Sequence, residues 1–373
     1  VKKKLIFLVN VDWFFVSHRL PIAISAIKKG YDVYLLTKNT DKKNLIESYG
    51  ITFIEIPFER SRLNILNEVK VLYKIFTSYV KIKPDVVHHI TLKPILYGSI
   101  IANILKIKNV VNAISGLGYN FINKRKSLVK NIMIFLLRNF NYNKNVIFIF
   151  QNNEDLLEFK KYKIVNSINN YFIIKGSGVD LNIFKKTNLP LLRKINILFP
   201  SRMLWDKGVS ELKYATELLK DKYSSKISFV LAGMIDNNNK SAVPLDYILN
   251  WQDGDYVKWV GFDNNILNLY NQCDIVILPS YREGFPKALV EASAVGRPII
   301  TTDAIGCRDC VEQGINGIKV PVTSFCELAN AIIFLVDNKE LMIQMGNNSR
   351  LIAEREYDIN KIVDSHLLIY QRF

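Results

Sequence analysis

Two glutamates, Glu283 and Glu291, stand with seven residues between them in the stretch "YREGFPKALVEA", and Gly284-Phe285-Pro286 follows the first directly. The run before it, "CDIVILPS", reads as a buried strand, so Glu283 falls in the loop leaving the strand's carboxyl end. Pro286 suits the first turn of the following helix, where a missing N–H costs nothing. The N–H groups of Phe285, Lys287 and Ala288 would then point outward from a helix start, a place that attracts phosphate. In that position Glu283 would accept hydrogen bonds from sugar hydroxyls, and Glu291 would hold the two hydroxyls of a ribose. The same spacing also suits a capping glutamate followed by an ordinary helix-surface glutamate. A second motif, "FPSRMLWDKG", puts Arg202 and Lys207 in another strand-to-helix loop. Two cations beyond a strand end would clamp a diphosphate; alone, such a pair also suits solvated surface.

These loops need a frame. The 373 residues suffice for two domains, and 49% are hydrophobic, enough for two cores. Short apolar runs alternate with helical patterns from "KLIFLVN" onward, which is the order of a parallel sheet covered on both faces. The order restarts at "INILFPS", after the turn-rich, charged stretch "NIFKKTNLPLLRK". The expected architecture is therefore α/β: two doubly wound, Rossmann-like domains facing one another across a cleft, with ligands beyond the carboxyl ends of the strands. The first covers residues 1–185, the second 186–355, and 356–373 end in a helix. "VKKKLIFLVN" lacks a small-residue cleavage site and reads as a first buried strand rather than a signal peptide. No apolar run approaches the ~18 residues of a membrane-spanning helix. Of four cysteines only Cys307 and Cys310 form a C-x-x-C pair, with no second pair or nearby histidine to complete a zinc site, so chance spacing and a reducing cytoplasm are expected.

Charge divides the chain unevenly. Residues 1–185 hold 29 Lys and Arg against 12 Asp and Glu, whereas residues 186–373 hold 21 against 22. No acidic residue occurs between Asp85 and Glu154. A one-sided field of this kind points to an anionic partner: nucleic acid, acidic lipid or a phosphorylated substrate. A nicotinamide oxidoreductase would need G-x-G-x-x-G after the first strand, and "NVDWFFVSHR" contains none. A nucleic-acid binder would show a reading module, and none is found. "KRKSLVKNIMIFLLRNF", within Lys124–Phe140, combines a basic start with an apolar stripe. It would lie at an anionic membrane surface or pack on its own sheet.

The motifs "SRMLWDKG", "LAGMIDNNN", "YVKWVGF", "CDIVILPSYREGFPKALVEA" and "GRPIITTDAIGCRDCVEQGINGIKVP" span about 120 residues and resemble, in order, the carboxyl-terminal domain of family 4 glycosyltransferases. These are retaining enzymes of the GT-B fold with an E-x7-E signature. The resemblance implies that Arg202 and Lys207 grip the diphosphate of a nucleotide-sugar donor. Glu291 would bind the ribose and Glu283 the sugar hydroxyls, with the backbone of Gly284, Phe285 and Pro286 alongside and Gly261 framing the base. It implies that the final helix crosses back to the first domain, and that the reaction keeps the donor's α configuration by front-face displacement without a metal or other cofactor. Among enzymes, an inverting GT-B transferase or a nucleotide-sugar epimerase is the nearest rival. "WFFVSHRLPIA", "VVHHITLKPILYG" and "NAISGLGYNF" resemble the branch that extends lipid-linked sugars for O-antigen, capsule or bacterial N-glycan assembly. That branch implies a UDP-sugar carrying hexose or N-acetylhexosamine, a lipid-diphosphate-linked saccharide acceptor, and a peripheral place on the cytoplasmic face of the inner membrane. His18, Arg19, Lys93, Gly116 and Gly118 would face the acceptor. Many relatives place an essential histidine where "VVHHI" stands; alternation sends His88 and His89 to opposite faces, and His89 is taken as the catalytic one.

Overall fold

The computed structural model describes residues 2–59, 64–117, 128–190, 194–237, 239–263 and 265–373. They form two compact units, one of Val1–Ser177 with Asn360–Phe373 and one of Gly178–Ile359.

The first unit is a seven-stranded sheet: β1 (Lys4–Val11), β2 (Asp32–Lys38), β3 (Thr52–Glu55), β4 (Val86–Ile90), β5 (Val110–Ala113), β6 (Val146–Phe150) and β7 (Asn170–Ile173), in the order β3-β2-β1-β4-β5-β6-β7. Every pairing is parallel. Helices return the chain between strands: α1 (Asp12–His18), α2 (Leu20–Lys28), α3 (Lys43–Ser48), α4 (Ile65–Ile82), α5 (Leu92–Ile104), α6 (Leu128–Phe140) and α7 (Asn153–Lys161). Strands β4, β5 and β6 are buried along their whole length, as a sheet covered on both faces demands. The Asn64 side chain caps α4 by accepting from Leu66 N at 3.1 Å, and the helix stops at Lys83 in the left-handed region (φ 53°).

The second unit holds β8 (Ile195–Pro200), β9 (Ile227–Ala232), β10 (Val257–Gly261), β11 (Ile275–Leu278), β12 (Ile299–Thr302) and β13 (Gly317–Val320), all parallel, in the order β10-β9-β8-β11-β12-β13. Its helices are α8 (Val209–Tyr223), α9 (Leu245–Trp251), α10 (Ile266–Gln272), α11 (Lys287–Val295), α12 (Phe325–Asp337) and α13 (Lys339–Ile352). The division falls earlier than the expected 185 because residues 178–190 are bound into this unit. Val179 packs in its core and bridges to Asp358. The fully buried Arg297 guanidinium donates to Thr187 O at 2.9 Å, Thr187 Oγ1 at 2.6 Å and Tyr270 O at 2.9 Å.

The final helix, α14 (Ile359–Gln371), belongs to the first unit from Asn360 onward. Tyr370 packs edge-on against Phe7, and its hydroxyl lies 2.6 Å from His88 Nδ1. Cys307 and Cys310 are buried and in no disulfide among the described residues. No helix among the described residues is long and apolar enough to cross a membrane.

Three buried imidazoles make this unit acid-sensitive. Burial lowers His366 to about 3 and His89 to about 4, and it holds His88 well below the ordinary value, with repulsion from His366 and Arg19 added. The unfolded chain takes up these protons below about pH 6.5 and the folded chain does not. Stability therefore falls as pH drops from about 6.5 toward 4, by up to about 1.4 kcal/mol per ring per pH unit. Thermal unfolding followed between about pH 7 and pH 5 should show a declining midpoint, and His366→Phe should make the decline shallower.

Candidate functional site

In each sheet the strand order reverses direction once: between β1 and β4 in the first unit, and between β8 and β11 in the second. Such switch points, beyond the carboxyl ends of the strands, are where doubly wound sheets bind ligands. The loops after β8 and β11 carry the residues singled out from sequence. After β8 the chain makes one short turn, Trp205–Lys207, and enters α8 through Gly208 at φ 77°. A Cβ on Gly208 would stand 2.2 Å from Pro279 O, so only glycine lets the two loops touch. Tyr281 N donates to Asp206 O at 2.9 Å, and the Tyr281 hydroxyl donates to Glu211 Oε1 at 2.7 Å. On the other side, Glu283 N donates to Ile305 O at 2.9 Å. The loop bearing Glu283 is thus held from both flanks.

Within this frame the charges are paired. Lys207 Nζ donates to Glu283 Oε1, which also accepts from Ser280 Oγ at 2.9 Å. Arg202 Nη1 donates to Asp236 Oδ2 at 2.7 Å, from the loop after β9. The sequence reading had left both cations without partners; Asp236 lies inside the motif "LAGMIDNNN", but spacing alone does not disclose what it touches. Glu291 is 8% exposed in α11, with Lys287 Nζ at 3.5 Å. Burial raises its carboxyl above the ordinary value, against the pull of Lys287 and the Tyr270 hydroxyl. Tyr270 also donates to Ala288 O at 3.0 Å; it was not singled out from sequence. Pro286 is the cap rather than the first helical residue, and its carbonyl accepts from Leu289 N at 3.0 Å and Val290 N at 3.3 Å. Phe285 turns its ring into the core against Tyr357, which leaves its backbone for any ligand. Gly261 ends β10 at φ 66°, and its carbonyl accepts from Gly233 N at 2.7 Å.

The first unit corrects several expectations. His18 closes α1, and Arg19 stands at the cap of α2. Helix α1 begins at Asp12, whose carboxylate accepts from Trp13 N at 2.7 Å and ties the helix start to the loop after β2 through Thr40 N at 2.6 Å and Lys42 N at 3.1 Å. Arg19 sits at the joint between α1 and α2 and is 1% exposed. It donates to His18 O at 3.0 Å and to Ser115 Oγ at 3.3 Å, which brings it beside Gly116, and burial pushes its guanidinium down to about 10. His18 stacks on Phe14. Lys93 is engaged by Glu68 Oε1 at 2.8 Å and Glu59 O at 3.1 Å. Gly118 lies outside the described residues.

Alternation does separate His88 from His89, yet neither is exposed. His89 Nδ1 lies 2.9 Å from Asn112 Oδ1 and Nε2 lies 3.0 Å from the Tyr79 hydroxyl, with the ring packed so tightly on Gly98 that a Cβ there would approach within 2.4 Å. Both nitrogens are used in packing, so the catalytic role expected of His89 is withdrawn. At the switch point itself stand two residues missed from sequence: Asn10 Nδ2 donates to Thr91 Oγ1 at 2.8 Å, and Thr91 is held at φ 72°. A β-branched residue in that conformation is strained, as ligand sites often are.

Residues 4–152 match the family model described as glycosyl transferase 4-like, and residues 181–352 match that of glycosyl transferases group 1. The chain belongs to these glycosyltransferases. It is 27% identical to an N,N'-diacetylbacillosaminyl-diphospho-undecaprenol alpha-1,3-N-acetylgalactosaminyltransferase of Campylobacter jejuni, over 95% of this chain and 94% of that one. It is 24% identical to a UDP-Gal:alpha-D-GlcNAc-diphosphoundecaprenol alpha-1,3-galactosyltransferase of Escherichia coli, over 90% and 87%. Among solved structures, HepE of Anabaena in complex with UDP and glucose superposes with a TM-score of 0.80 at 19% identity, covering all of both chains. The two doubly wound sheets of this glycosyltransferase are accordingly those of the GT-B fold.

Gly306, at φ 80°, stands where a Cβ would meet Glu283 O at 2.3 Å. Gly306→Ala should cost about 1–3 kcal/mol in thermal or chemical unfolding. Gly254→Ala, which shares a left-handed backbone but has nothing within 4 Å, should cost less.

Proposed function

We propose that this glycosyltransferase moves a hexose or N-acetylhexosamine from a UDP-sugar to a lipid-diphosphate-linked saccharide, forming an α-glycosidic bond with retention, in bacterial cell-surface polysaccharide or glycan assembly. The observation that carries the donor half is the pair of cations at the β8/β11 switch point, each held in place by a carboxylate: Lys207 by Glu283 and Arg202 by Asp236. A diphosphate entering there exchanges one anionic partner for another, so the cations are already oriented when the ligand arrives. Glu291, nearly buried in the first turns of α11, would take the ribose hydroxyls. Glu283, released from Lys207, would take the sugar's, with Gly284, Phe285, Pro286, Lys287 and Gly261 lining the donor.

In the reaction the bond from C1 to the β-phosphate oxygen breaks and its electron pair leaves with UDP. The acceptor hydroxyl closes on C1 from the same face, and its proton passes to the departing phosphate. Fixed positive charge from Arg202, Lys207 and the start of α11 lies where the leaving group's negative charge grows. That supply lets the reaction proceed without a divalent metal. The acceptor half rests on the Campylobacter and Escherichia relatives, whose names place their acceptors on undecaprenyl diphosphate, and on the acid-free basic span of the first unit. His18, Lys93, Gly116 and Gly118 would approach that acceptor, with the buried Arg19 holding Ser115 next to Gly116, and the enzyme would be peripheral at the anionic cytoplasmic face of the inner membrane.

Arg202→Ala and Glu291→Ala should each weaken binding of UDP-sugar roughly ten- to a hundredfold by calorimetry; a UDP-sugar affinity unmoved by both sinks the donor site. Turnover should survive EDTA. The coupling constant of the new anomeric proton in the product should report an α linkage, and a β product from an α donor would rule out retention.

A further inference from the structure

The first unit leaves apolar side chains uncovered, and it gathers them at one edge. On α4, Leu66, Val69 and Tyr73 are between 59 and 81% exposed; on α6, Leu128, Ile132 and Phe135 are between 50 and 76% exposed. Their spacings make one stripe on each helix. Helix α5 packs against both α4 and α6, so the three cover the same face of the sheet. Because α4 follows β3 and α6 precedes β6, each crossover helix starts at the carboxyl edge of its parallel sheet. The exposed stripe lies in the starting half of α4, and on α6 it begins at Leu128 and reaches just past the middle. The two stripes therefore flank the edge that holds the unit's switch point, with Asn10, Thr91 and Lys93.

The polar surroundings fit a particular partner. The one acid of α4, Glu68, is taken up by Lys93 at 2.8 Å and the Tyr97 hydroxyl at 2.7 Å. Helix α6 contains no acid; Lys70 and Arg138 are exposed on the two helices, while Lys74 and Lys130 are half-buried, against Glu55 O and the Tyr162 ring. Self-association through this face would set those cations against their own copies. Anionic headgroups around an apolar interior complement it on both counts.

We propose that α4 and α6 together form a bilayer-docking face, whose apolar stripes enter the headgroup and acyl boundary while the lysines meet anionic lipid. The membrane contact is thus a two-helix surface rather than the single segment 124–140, and it sets the acceptor edge of the sheet at the interface. Its purpose rests on the lipid-linked acceptor proposed above; the docking itself does not.

The test uses the full chain and sedimentation with vesicles of phosphatidylcholine, with and without phosphatidylglycerol. Two paired variants, Leu66→Ser/Val69→Ser on α4 and Ile132→Ser/Phe135→Ser on α6, should each reduce the bound fraction's partition coefficient by roughly tenfold. Thermal unfolding and UDP affinity should stay at the parent values, and salt should weaken the binding of the parent to anionic vesicles. Full binding by the α4 pair overturns the two-helix face. So does light scattering that shows a lipid-free dimer dispersed by either pair. If vesicle binding responds as expected while the parent binds no nucleotide, the docking face stands and the donor reading fails.

Discussion

The ion pair between Lys207 and Glu283 ties together two loops that leave neighbouring strands of one parallel sheet. Both side chains are mostly buried, at 15 and 16% exposed, so neither charge can rely on water and each depends on the other. Their loops are brought to this separation by contacts that tolerate no bulk: Gly208 against Pro279 and Gly306 against Glu283. A buried charge left alone costs several kcal/mol, so this arrangement is stable only while some anion faces Lys207. That requirement is met by Glu283 in the free protein and would be met by a diphosphate in the complex. Arg202 and Asp236 repeat the same logic one strand over.

The same constraint explains why glutamates, and not neutral polar residues, occupy these positions. A carboxylate can hold a cation when no ligand is present and hydrogen-bond a sugar when one is. Glu291 differs from Glu283 in being opposed by a helical neighbour, Lys287, and by Tyr270 rather than by a cation from another loop. Burial pulls its carboxyl toward the neutral form, and that bias is relieved once hydroxyl donors fill the site. The first unit contrasts with this. Its polar interior, His88, His89, Asn112 and Arg19, binds to itself and to the final helix, and the charge that remains for partners lies outside, on helix surfaces.

Much of the frame was legible because parallel sheets write themselves plainly: wholly apolar strands such as "VIFIF" and "IVIL" alternate with helical periods, and the restart at Ile195 marks a second sheet. The donor loops were legible because strand ends followed by Glu, Gly, Pro, Arg and Lys carry chemistry in their types. What was not legible depends on long-range partners. The Asp12 carboxylate ties the start of α1 to Thr40 and Lys42, roughly thirty residues on, and nothing within "NVDWFFVSHR" discloses those partners. Asp236 finds Arg202 from the loop after the neighbouring strand. The family resemblance makes His89 a catalytic candidate, but Tyr79 and Asn112 take both of its nitrogens. The boundary near residue 185 looked like a linker until Arg297 was seen to hold Thr187.

The exchange of anions at Lys207 can be tested by comparing UDP affinity for Lys207→Met and Glu283→Gln in one titration series. The account predicts that Lys207→Met binds UDP roughly tenfold more weakly or worse, while Glu283→Gln binds it at least as tightly as the parent, because the competing carboxylate is gone. Equal weakening by both substitutions, or no change from Lys207→Met, would contradict it.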